Sequence, residues 1–591
     1  MTHGSGRRKY LEPDQDHEAI ALSIPEPESS SDLDLPESAL GFTYQLYGNH
    51  KWRDVFTHRQ LQALSVFSEV VAQVPTWITE DGGDDETAKA VTTFLALCVG
   101  KLSQFSSSPC LWKIDSRNGS GKAESAKFGR NDLTMTWDFV ETNPFGGSVG
   151  DWNQIVVTAL RGLSYVDPVG PPSRVLQGDA RTATADLHHR CLIVTDPPYF
   201  SAIGYANLSD YFYLWIRRSL RDLYPGLFAT LATPKAGELI AEPARHASRD
   251  DAKAYFIDGF TEVFGSIQDA SREDLPIVFV YAYKEQEAEQ DSQVSAGWEA
   301  MLEAVIRSGL GIVGTWPIHG TGSTRMRGLK SNALATYVAL VCRPRGDSAP
   351  RISRRDFAAL LRDELGPAVR ILQQTAVAPV DLAQAVIGPG MAVFTRFSAV
   401  LEPEGSPMTV RSALLMINTE LSEVLNEQES DFDPDTRWAV AWFELYQFQE
   451  APSGVADQLA RAKGTSVDGL ERAGLIVTRG GTCRLIRRDE LAEAYDPLSD
   501  IRSTIWEATQ YLVKLVIEFG EEEAARLFSR LPNVYAVRDL AYRLYALCEK
   551  KGWAEEAGTY NVLVASWPEV SRLSVQVRRL EHDRSGQLPG I

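Results

Sequence analysis

The chain has 591 residues, of which 44% are hydrophobic, and its formal net charge is −20. This length exceeds what one hydrophobic core usually supports, so we expect roughly two to four domains. The acidic balance argues against a protein that binds nucleic acid through its overall charge, because affinity for phosphates comes from local lysines and arginines. An acidic DNA enzyme would have to group its basic residues on one surface.

Targeting and redox signals in the sequence indicate a cytoplasmic protein. The amino-terminal residues lack the apolar stretch of a secretory signal, and no apolar run is long enough to span a bilayer. Six cysteines are scattered along the chain, and none forms a pair at metal-ligand spacing. We therefore expect reduced core thiols, no metal site and no membrane association.

The first domain segment, residues 1–41, is a predicted acidic and disordered lead-in. Residues 11–40 hold nine acids, four prolines and no lysine or arginine, a composition that cannot build a core. Ordered structure is expected to start directly after this segment. Thr57 and Gln60 then form a predicted capping box for a helix, and a second helix is expected at 86–105.

Two glycine-containing segments follow. The loop Asn143-Pro-Phe-Gly-Gly-Ser-Val-Gly150 lies between a predicted strand at 133–140 and a predicted helix at 152–163. Farther on, residues 174–180 predict a short strand that ends at Gly178 and Asp179. Each segment is compatible with an ordinary turn between two elements as well as with a ligand contact.

The most informative stretch is 191–200, Cys-Leu-Ile-Val-Thr-Asp-Pro-Pro-Tyr-Phe. Its first four residues predict a short buried strand, which the proline pair ends at a loop. In an open α/β sheet such loops bind ligands, and two prolines hold the backbone rigid there. Asp196 and the Pro197 carbonyl can accept hydrogen bonds from an amino group. Tyr199 and Phe200 can stack on the flat base that carries it.

Strands and helices alternate beyond this loop. The expected elements are a helix capped by Ser209, strands at 227–233 and 277–283, helices at 249–270 and 297–308, and strands at 311–318 and 335–342. The last two strands fit an antiparallel pair at a sheet edge. This alternation predicts a sheet with helices packed against it.

The loop between the last two strands is a candidate contact with DNA. Residues 319–332 contain three cations and no acid, in a chain that is acidic elsewhere. Arg325, Arg327 and Lys330 can contact phosphates. Asn332 can read the edge of an adenine. The alternative interpretation is a solvated hairpin loop.

Helical patterns dominate after a bridging region at 346–410. In the helical region, 411–591, two short helices and a hairpin that turns at Gly480-Gly481 predict a winged-helix-like unit at 455–490. The arginines placed for phosphate contact on this unit are Arg479, Arg484, Arg487 and Arg488. Such units also dock proteins, so DNA binding is one of two alternatives. The helices at 501–580 are expected to form a packing bundle.

The tetrapeptide Asp196-Pro197-Pro198-Tyr199 is either an ordinary turn after a strand or a functional motif. As a motif, it resembles the catalytic sequence of DNA methyltransferases that methylate amino groups with S-adenosylmethionine. The chain as a whole is similar to the carboxyl-terminal two-thirds of large bacterial adenine-specific DNA methylases that carry a zinc ribbon, some of them found in phage-defence loci. The matching phrases are Phe56 to Leu61, Trp137 to Phe145, Thr195 to Phe200, Pro234-Lys235, Arg245-His246, Gly314 to Pro317 and Arg325 to Leu334.

This resemblance implies an α/β fold. Residues 42–345 would form a Rossmann-like methyltransferase sheet that lacks its amino-terminal half and ends in a reversed strand, followed by the mainly α-helical region. The resemblance also implies that Asp196, Pro197, Pro198 and Tyr199 are catalytic. Gly178 and Asp179 would contact the adenine of the cofactor, S-adenosylmethionine, unless that acid belongs to an ordinary turn.

The sequence departs from the family in two places, since the zinc ribbon and the Asp-Pro-Phe-glycine cofactor loop are absent. The loop at 143–150 resembles that cofactor loop, but only about 50 residues separate it from the motif, which leaves little room for the strand that binds the ribose. A conformationally special loop near the site is the preferred interpretation. We expect either that a separate polypeptide supplies the missing half or that the reading frame is a truncated gene.

The expected function is therefore site-specific methylation of adenine N6 in DNA, in a phage-defence or restriction-modification context. Methylation of cytosine N4 would use the same contacts, although aspartate at the first motif position favours adenine within the resemblance. The alternative from a different class is a non-catalytic DNA-binding or scaffold subunit of such a system.

Overall fold

The computed structural model describes residues 12, 14–27, 32–114, 121–124, 132–166, 173–185, 187, 191–201, 203–272, 274–281, 296–319, 336–346, 348–492, 495–499 and 502–585. The chain forms two units. The first comprises Met1–Asp179 and Pro198–Phe256, and the second comprises Ala180–Pro197 and Ile257–Ile591. This division runs through the region that the sequence predicts as one methyltransferase-like domain. The chain passes from the second unit to the first inside the motif, between Pro197 and Pro198.

Most strands of the described residues have five residues or fewer, and β5 and β6 are longer. They are β1 (Leu111–Ile114), β2 (Gly121–Glu124), β3 (Ile193–Thr195), β4 (Ile277–Tyr281), β5 (Leu310–His319), β6 (Thr336–Pro344), β7 (Arg351–Ser353), β8 (Ala399–Leu401), β9 (Ala451–Pro452), β10 (Ile476–Arg479) and β11 (Thr482–Leu485).

The helices carry most of the chain. They are α1 (Gln15–Ser23), α2 (His58–Glu80), α3 (Asp85–Ser103), α4 (Trp152–Leu163), α5 (Tyr205–Leu220), α6 (Arg249–Ala270), α7 (Ala296–Arg307), α8 (Arg354–Gln374), α9 (Pro379–Phe394), α10 (Val410–Glu427), α11 (Pro434–Tyr446), α12 (Ser453–Lys463), α13 (Val467–Arg472), α14 (Ile505–Glu518), α15 (Glu521–Phe528), α16 (Val534–Lys551), α17 (Ala554–Ala565) and α18 (Trp567–Ser585). The fold is mixed α/β and mainly helical. Within the described part of the chain, no helix is long and apolar enough to cross a bilayer.

The main sheet belongs to the second unit and has the strand order β3-β4-β6-β5. β3 runs parallel to β4, whereas β6 is antiparallel to both β4 and β5. The antiparallel pair at the sheet edge confirms the prediction for the last two strands. A strand before the motif is also present, but it spans Ile193–Thr195, and Cys191 forms only an isolated bridge with Ser271. The prediction that this strand is buried is wrong, because Val194 is 63% exposed.

Helices α2, α3 and α5 build the core of the first unit. The predicted capping box at the start of α2 is confirmed, because the Gln60 amide donates to the Thr57 hydroxyl and the Thr57 amide donates to the Gln60 side chain. The ring of Phe56, just before α2, lies 5.6 Å from Tyr211 and 5.3 Å from Trp215 on α5. These contacts confirm that the aromatic residues of α5 serve core packing.

Two predictions around α5 are wrong. The helix begins at Tyr205 rather than after Ser209, because the Glu238 carboxylate accepts the Ala206 amide and caps the first turn from a distant loop. Residues 227–233 form turns rather than a strand. Carbonyls of this segment accept hydrogen bonds from side chains of α5, so they are satisfied without a neighbouring strand.

The prediction that residues 1–41 form a disordered acidic lead-in is also only partly correct. Helix α1 lies inside it and buries no side chain. Leu35 is buried in the core of the first unit, and its amide donates to the His50 carbonyl at 2.6 Å. The burial of Leu35 anchors the end of the acidic segment, so packed structure begins before residue 42.

The predicted winged-helix-like outline is confirmed in the second unit. Helices α11, α12 and α13 are followed by the β10–β11 hairpin, and β9 adds a third strand beside β11. The hairpin turns at Gly480 and Gly481, whose φ angles of 57° and 85° favour glycine. Beyond it, α14 packs against α16 and α15 against α18, as expected for a bundle.

Candidate active site

The motif directly follows β3, at the carboxyl end of the parallel pair that β3 forms with β4. Asp196 is exposed, Pro197 is buried, and Pro198 and Tyr199 are half-buried. Proline at two consecutive positions limits the backbone to one φ value at each. The motif thus presents one carboxylate and one half-buried ring on a short, stiff segment.

Partial desolvation affects the Asp196 carboxylate. Burial of part of the group raises the pKa of Asp196 above the ordinary value for aspartate. Removal from water disfavours the charged form, and it also strengthens any hydrogen bond that the carboxylate accepts. Such a group suits an acceptor for an amine donor better than a fully hydrated aspartate does.

Phe200 has a packing role rather than the predicted role in stacking on the base. Its side chain is only 9% exposed, and its ring meets Phe256 edge to face at 5.0 Å. Its carbonyl accepts the Ala241 amide at 2.6 Å. A ring that is already covered has no face for a nucleobase.

A buried polar cluster, which the sequence analysis missed, fixes the chain just after the motif. Arg245 donates to Glu238 at 2.7 Å and forms an ion pair with Glu242 at 2.6 Å. Glu238 in turn accepts the Ala206 amide at the start of α5, and Asn207 donates to Glu242 at 3.5 Å. This cluster ties the loop at 238–245, which follows α5 in the chain, to the first turn of α5.

Asp210 organises a second set of contacts in the same unit. Its carboxylate is almost fully buried and accepts hydrogen bonds from the amide and hydroxyl of Thr233, at 2.8 and 2.6 Å. Lys235 donates to the other oxygen at 2.7 Å. Lys235 and Arg245, which lie in two of the segments that match the methylase family, therefore have carboxylate partners inside the protein. An acid on the apolar face of an aromatic helix was the signal that could have revealed this arrangement.

The loop at 143–150 is held by the carboxylate of the next residue, Asp151. Asp151 caps α4 by accepting the Gln154 amide at 3.0 Å, and its second oxygen accepts the Gly147 amide at 2.8 Å. Gly147 and Gly150 have φ angles of 65° and 85°, which favour glycine. This local engagement favours the interpretation of a conformationally special loop over that of a cofactor loop.

The predicted cofactor contacts, Gly178 and Asp179, lie in the first unit. Residues 173–179 form no regular strand and are exposed, so the predicted strand at 174–178 is wrong. Val175, which would have been a core residue of that strand, is 92% exposed. The residues predicted to contact DNA (Arg325, Arg327, Lys330 and Asn332) lie outside the described residues. Among the described residues, no cluster of three or more His, Cys, Asp or Glu side chains could hold a metal ion.

Two of the four arginines predicted to contact phosphates on the winged-helix-like unit stabilise the fold instead. Arg484 forms two hydrogen bonds with Glu490, at 2.6 and 2.7 Å, and holds the pKa of Glu490 at about 2. Arg488 bonds both Glu556 and Gln510. Arg479 and Arg487 remain exposed near the hairpin. Only Arg479 and Arg487 of these four therefore remain candidates for phosphate contact.

Comparison with known proteins identifies one region of the chain. The model of a family described as a domain of unknown function, DUF8807, matches residues 433–588. The match begins at Asp433, which caps α11, and includes the winged-helix-like unit and the bundle. It does not include the motif or the main sheet. No curated protein and no solved structure matches the chain.

Proposed function

We propose that the chain is the base-binding subunit of a DNA amino-methyltransferase, which transfers a methyl group from S-adenosylmethionine to N6 of a flipped adenine. The observation that carries this proposal is the position of Asp196 to Tyr199 directly after β3, at the end of the parallel pair where α/β sheets bind ligands. The reversed strand β6 beside β4 also agrees with what the resemblance implies for the second half of a methyltransferase sheet.

The residues of this chain would act on the adenine amine. Asp196 and the Pro197 carbonyl accept its two N–H groups, which directs the nitrogen lone pair outward and stabilises positive charge as it develops on nitrogen. Tyr199 holds the base after it has left the duplex. When bound, S-adenosylmethionine would supply the methyl group from its sulfonium sulfur and leave as the neutral thioether, and the methylated nitrogen would release one proton to solvent. The raised pKa of Asp196 is compatible with an acceptor that loses water when the base enters.

The donor-binding half of the site is the part that this chain does not provide among its described residues. The Gly147 amide is engaged by Asp151, and Gly178 and Asp179 lie in an exposed segment without a strand. The proposal therefore includes a second polypeptide that supplies the donor-binding half, within a phage-defence or restriction-modification system. Methyl transfer would then require both polypeptides.

The test is a methyl-transfer assay with labelled S-adenosylmethionine and unmethylated DNA, using the full chain with and without the product of the neighbouring gene. Asp196→Ala should lower transfer by about 10²–10³-fold, the loss typical of a preorganised polar contact in the transition state. Asp222→Asn is the matched control, because its side chain is 91% exposed. Analysis of the product nucleosides separates N6-methyladenine from N4-methylcytosine. Full transfer by Asp196→Ala would reject the proposed site.

A non-catalytic DNA-binding or scaffold subunit is the second candidate, and the winged-helix-like unit with exposed Arg479 and Arg487 supports it. In that case the chain would bind DNA, and neither polypeptide combination would transfer a methyl group. Asp196→Ala would then leave DNA binding unchanged. Charge reversal at Arg479 and Arg487 would weaken DNA binding and lower its salt dependence.

A further inference from the structure

A groove with mainly apolar walls lies in the first unit, between α3, α4 and the loop at 148–150. It encloses about 460 Å³, and small-molecule sites commonly enclose about 300–1,000 Å³. All of its lining residues are among those that the structure describes, and all belong to the first unit. A ligand in this α3–α4 groove would therefore be held by the first unit alone.

One stripe of α3 forms the long wall of the groove. Phe94, Leu97 and Lys101 follow one another at helical spacing, so their side chains lie on the same face of the helix. Phe94 and Lys101 are separated by about 10 Å along the axis, given a rise of about 1.5 Å per residue. Leu97, between them, is 56% exposed. This wall matches a narrow, extended apolar group that covers Leu97 and reaches Lys101.

The opposite wall is formed by α4 and a fixed loop. The Asp151 carboxylate caps α4 and also accepts the Gly147 amide at 2.8 Å, which holds the loop in place. Gly150 lines the groove with a φ of 85°, and a Cβ atom there would lie 2.5 Å from Oγ1 of Thr142. The wall is therefore formed before any ligand binds, which lowers the entropic cost of binding.

Lys101 gives the groove its charge. Among the described residues that line the groove, it alone is charged. Its ammonium donates to Oε1 of Gln104 at 2.7 Å and lies 5.3 Å from the centre of the Phe105 ring. Within the described part of the chain, Lys101 forms no ion pair. Partial burial lowers the pKa of Lys101, because water solvates the cation incompletely and no carboxylate compensates for this loss.

We propose that the α3–α4 groove binds a medium-chain fatty acid, with its alkyl chain against Leu97 and its carboxylate at the Lys101 ammonium. Burial of the chain provides most of the binding free energy, and the lysine determines which end of the molecule lies at Lys101. A nucleotide fits less well, because one cation between apolar walls cannot offset several phosphate charges. No residue of the motif lines the groove, so binding is measured without methyl transfer.

Isothermal titration calorimetry of the full purified chain tests the role of charge. Decanoate and decanol share the alkyl chain, and only decanoate is charged. Lys101→Met should weaken the binding of decanoate about tenfold, the loss typical of a hydrogen bond between charged partners, and should leave decanol binding unchanged. Lys89→Met is the matched control, because Lys89 lies on the same helix but outside the groove. It should bind decanoate like the wild type.

Two outcomes of this titration would overturn the proposal. One is the absence of decanoate binding by the wild-type chain, which would also be the result if another part of the chain filled the groove. The other is an equal effect of Lys101→Met on decanoate and decanol, since the lysine would then have no role in recognising the carboxylate.

A blocking variant tests the position of the alkyl chain. Thr158 lines the groove from an exposed position on α4, so Thr158→Trp should fill the groove without disturbing the core. We expect this variant to bind both decanoate and decanol at least about tenfold more weakly, because their methylenes can no longer be buried. Val157→Trp, at the next position but outside the groove, should bind like the wild type. Full binding by Thr158→Trp would overturn the proposal.

Vesicles separate a free fatty acid from the acyl chain of a membrane lipid. We expect the protein to stay in solution when it is centrifuged with phosphatidylglycerol vesicles, because the groove has one cation rather than the basic cluster that anionic membranes attract. Sedimentation with the vesicles that Lys101→Met abolishes would assign this surface to a membrane and overturn the proposal.

Discussion

Large apolar side chains are buried in one part of the second unit and exposed in another part. In the carboxyl-terminal part, 433–585, Trp438 and Trp442 are fully buried and stack at 5.0 Å. In the main sheet, Val194 and Trp316 are more than half exposed. Neighbouring helices can close a core with their own side chains, whereas a sheet with antiparallel pairs can leave one face in contact with solvent. Among the described residues, the helical part buries its tryptophans and the sheet leaves Trp316 exposed.

The largest expected contrast comes from removing one tryptophan in each part. Trp442→Ala should lower the free energy of unfolding by about 3–5 kcal/mol, because it leaves a cavity in a packed core. Trp316→Ala should change it by less than about 0.5 kcal/mol, since the side chain is mostly exposed. Urea unfolding followed by far-ultraviolet circular dichroism measures both. Similar losses for the two variants would contradict the exposure of Trp316.

A smaller contrast concerns two ion pairs in the carboxyl-terminal part, 433–585. The side chains of Arg488 and Glu556 are 17% and 21% exposed, and Glu556→Gln would leave the Arg488 charge without its carboxylate partner. The expected loss is about 3 kcal/mol, measured as a shift of the urea midpoint. Glu569→Gln breaks an exposed pair with Arg572 and should produce no measurable shift. Equal shifts would mean that burial does not control the strength of these pairs.

The smallest expected effect is a displacement of the pH profile at the motif. Because burial raises the pKa of Asp196, its carboxylate becomes protonated at a higher pH than an ordinary aspartate. Methyl transfer should be constant above this pKa and fall as the pH drops through it, since the protonated acid is a poorer acceptor for the amine. The profile of kcat/KM against pH, recorded for the two-polypeptide enzyme, measures this acid limb. A limb at the ordinary aspartate value would contradict the desolvation of Asp196.

Local patterns explain the elements that could be predicted from the sequence. Helix α6 occupies 249–270 and α4 occupies 152–163, as predicted, because apolar spacing and capping residues act within a few positions. The hairpin at Gly480-Gly481 was predictable for the same reason. The motif was recognisable because its chemistry lies in four consecutive residues after an apolar run.

Long-range contacts explain the elements that could not be predicted. α5 begins before Ser209 because Glu238, in a later loop, caps it. Lys235 has an internal role because Asp210, 25 positions earlier, accepts its hydrogen bond. Phe200 is covered because Phe256 lies against it. None of these partners can be inferred from the residues beside them.

The sequence by itself determined that a short strand precedes Asp196, that a hairpin turns at Gly480-Gly481, and where several of the helices lie. Only the tertiary structure decided that α6 and α7 pack on one face of the sheet, where Phe279 and Tyr281 lie. The physical reason is that alternation along a strand specifies which side chains share a face, but whether anything covers that face depends on elements far away in the chain or in another polypeptide.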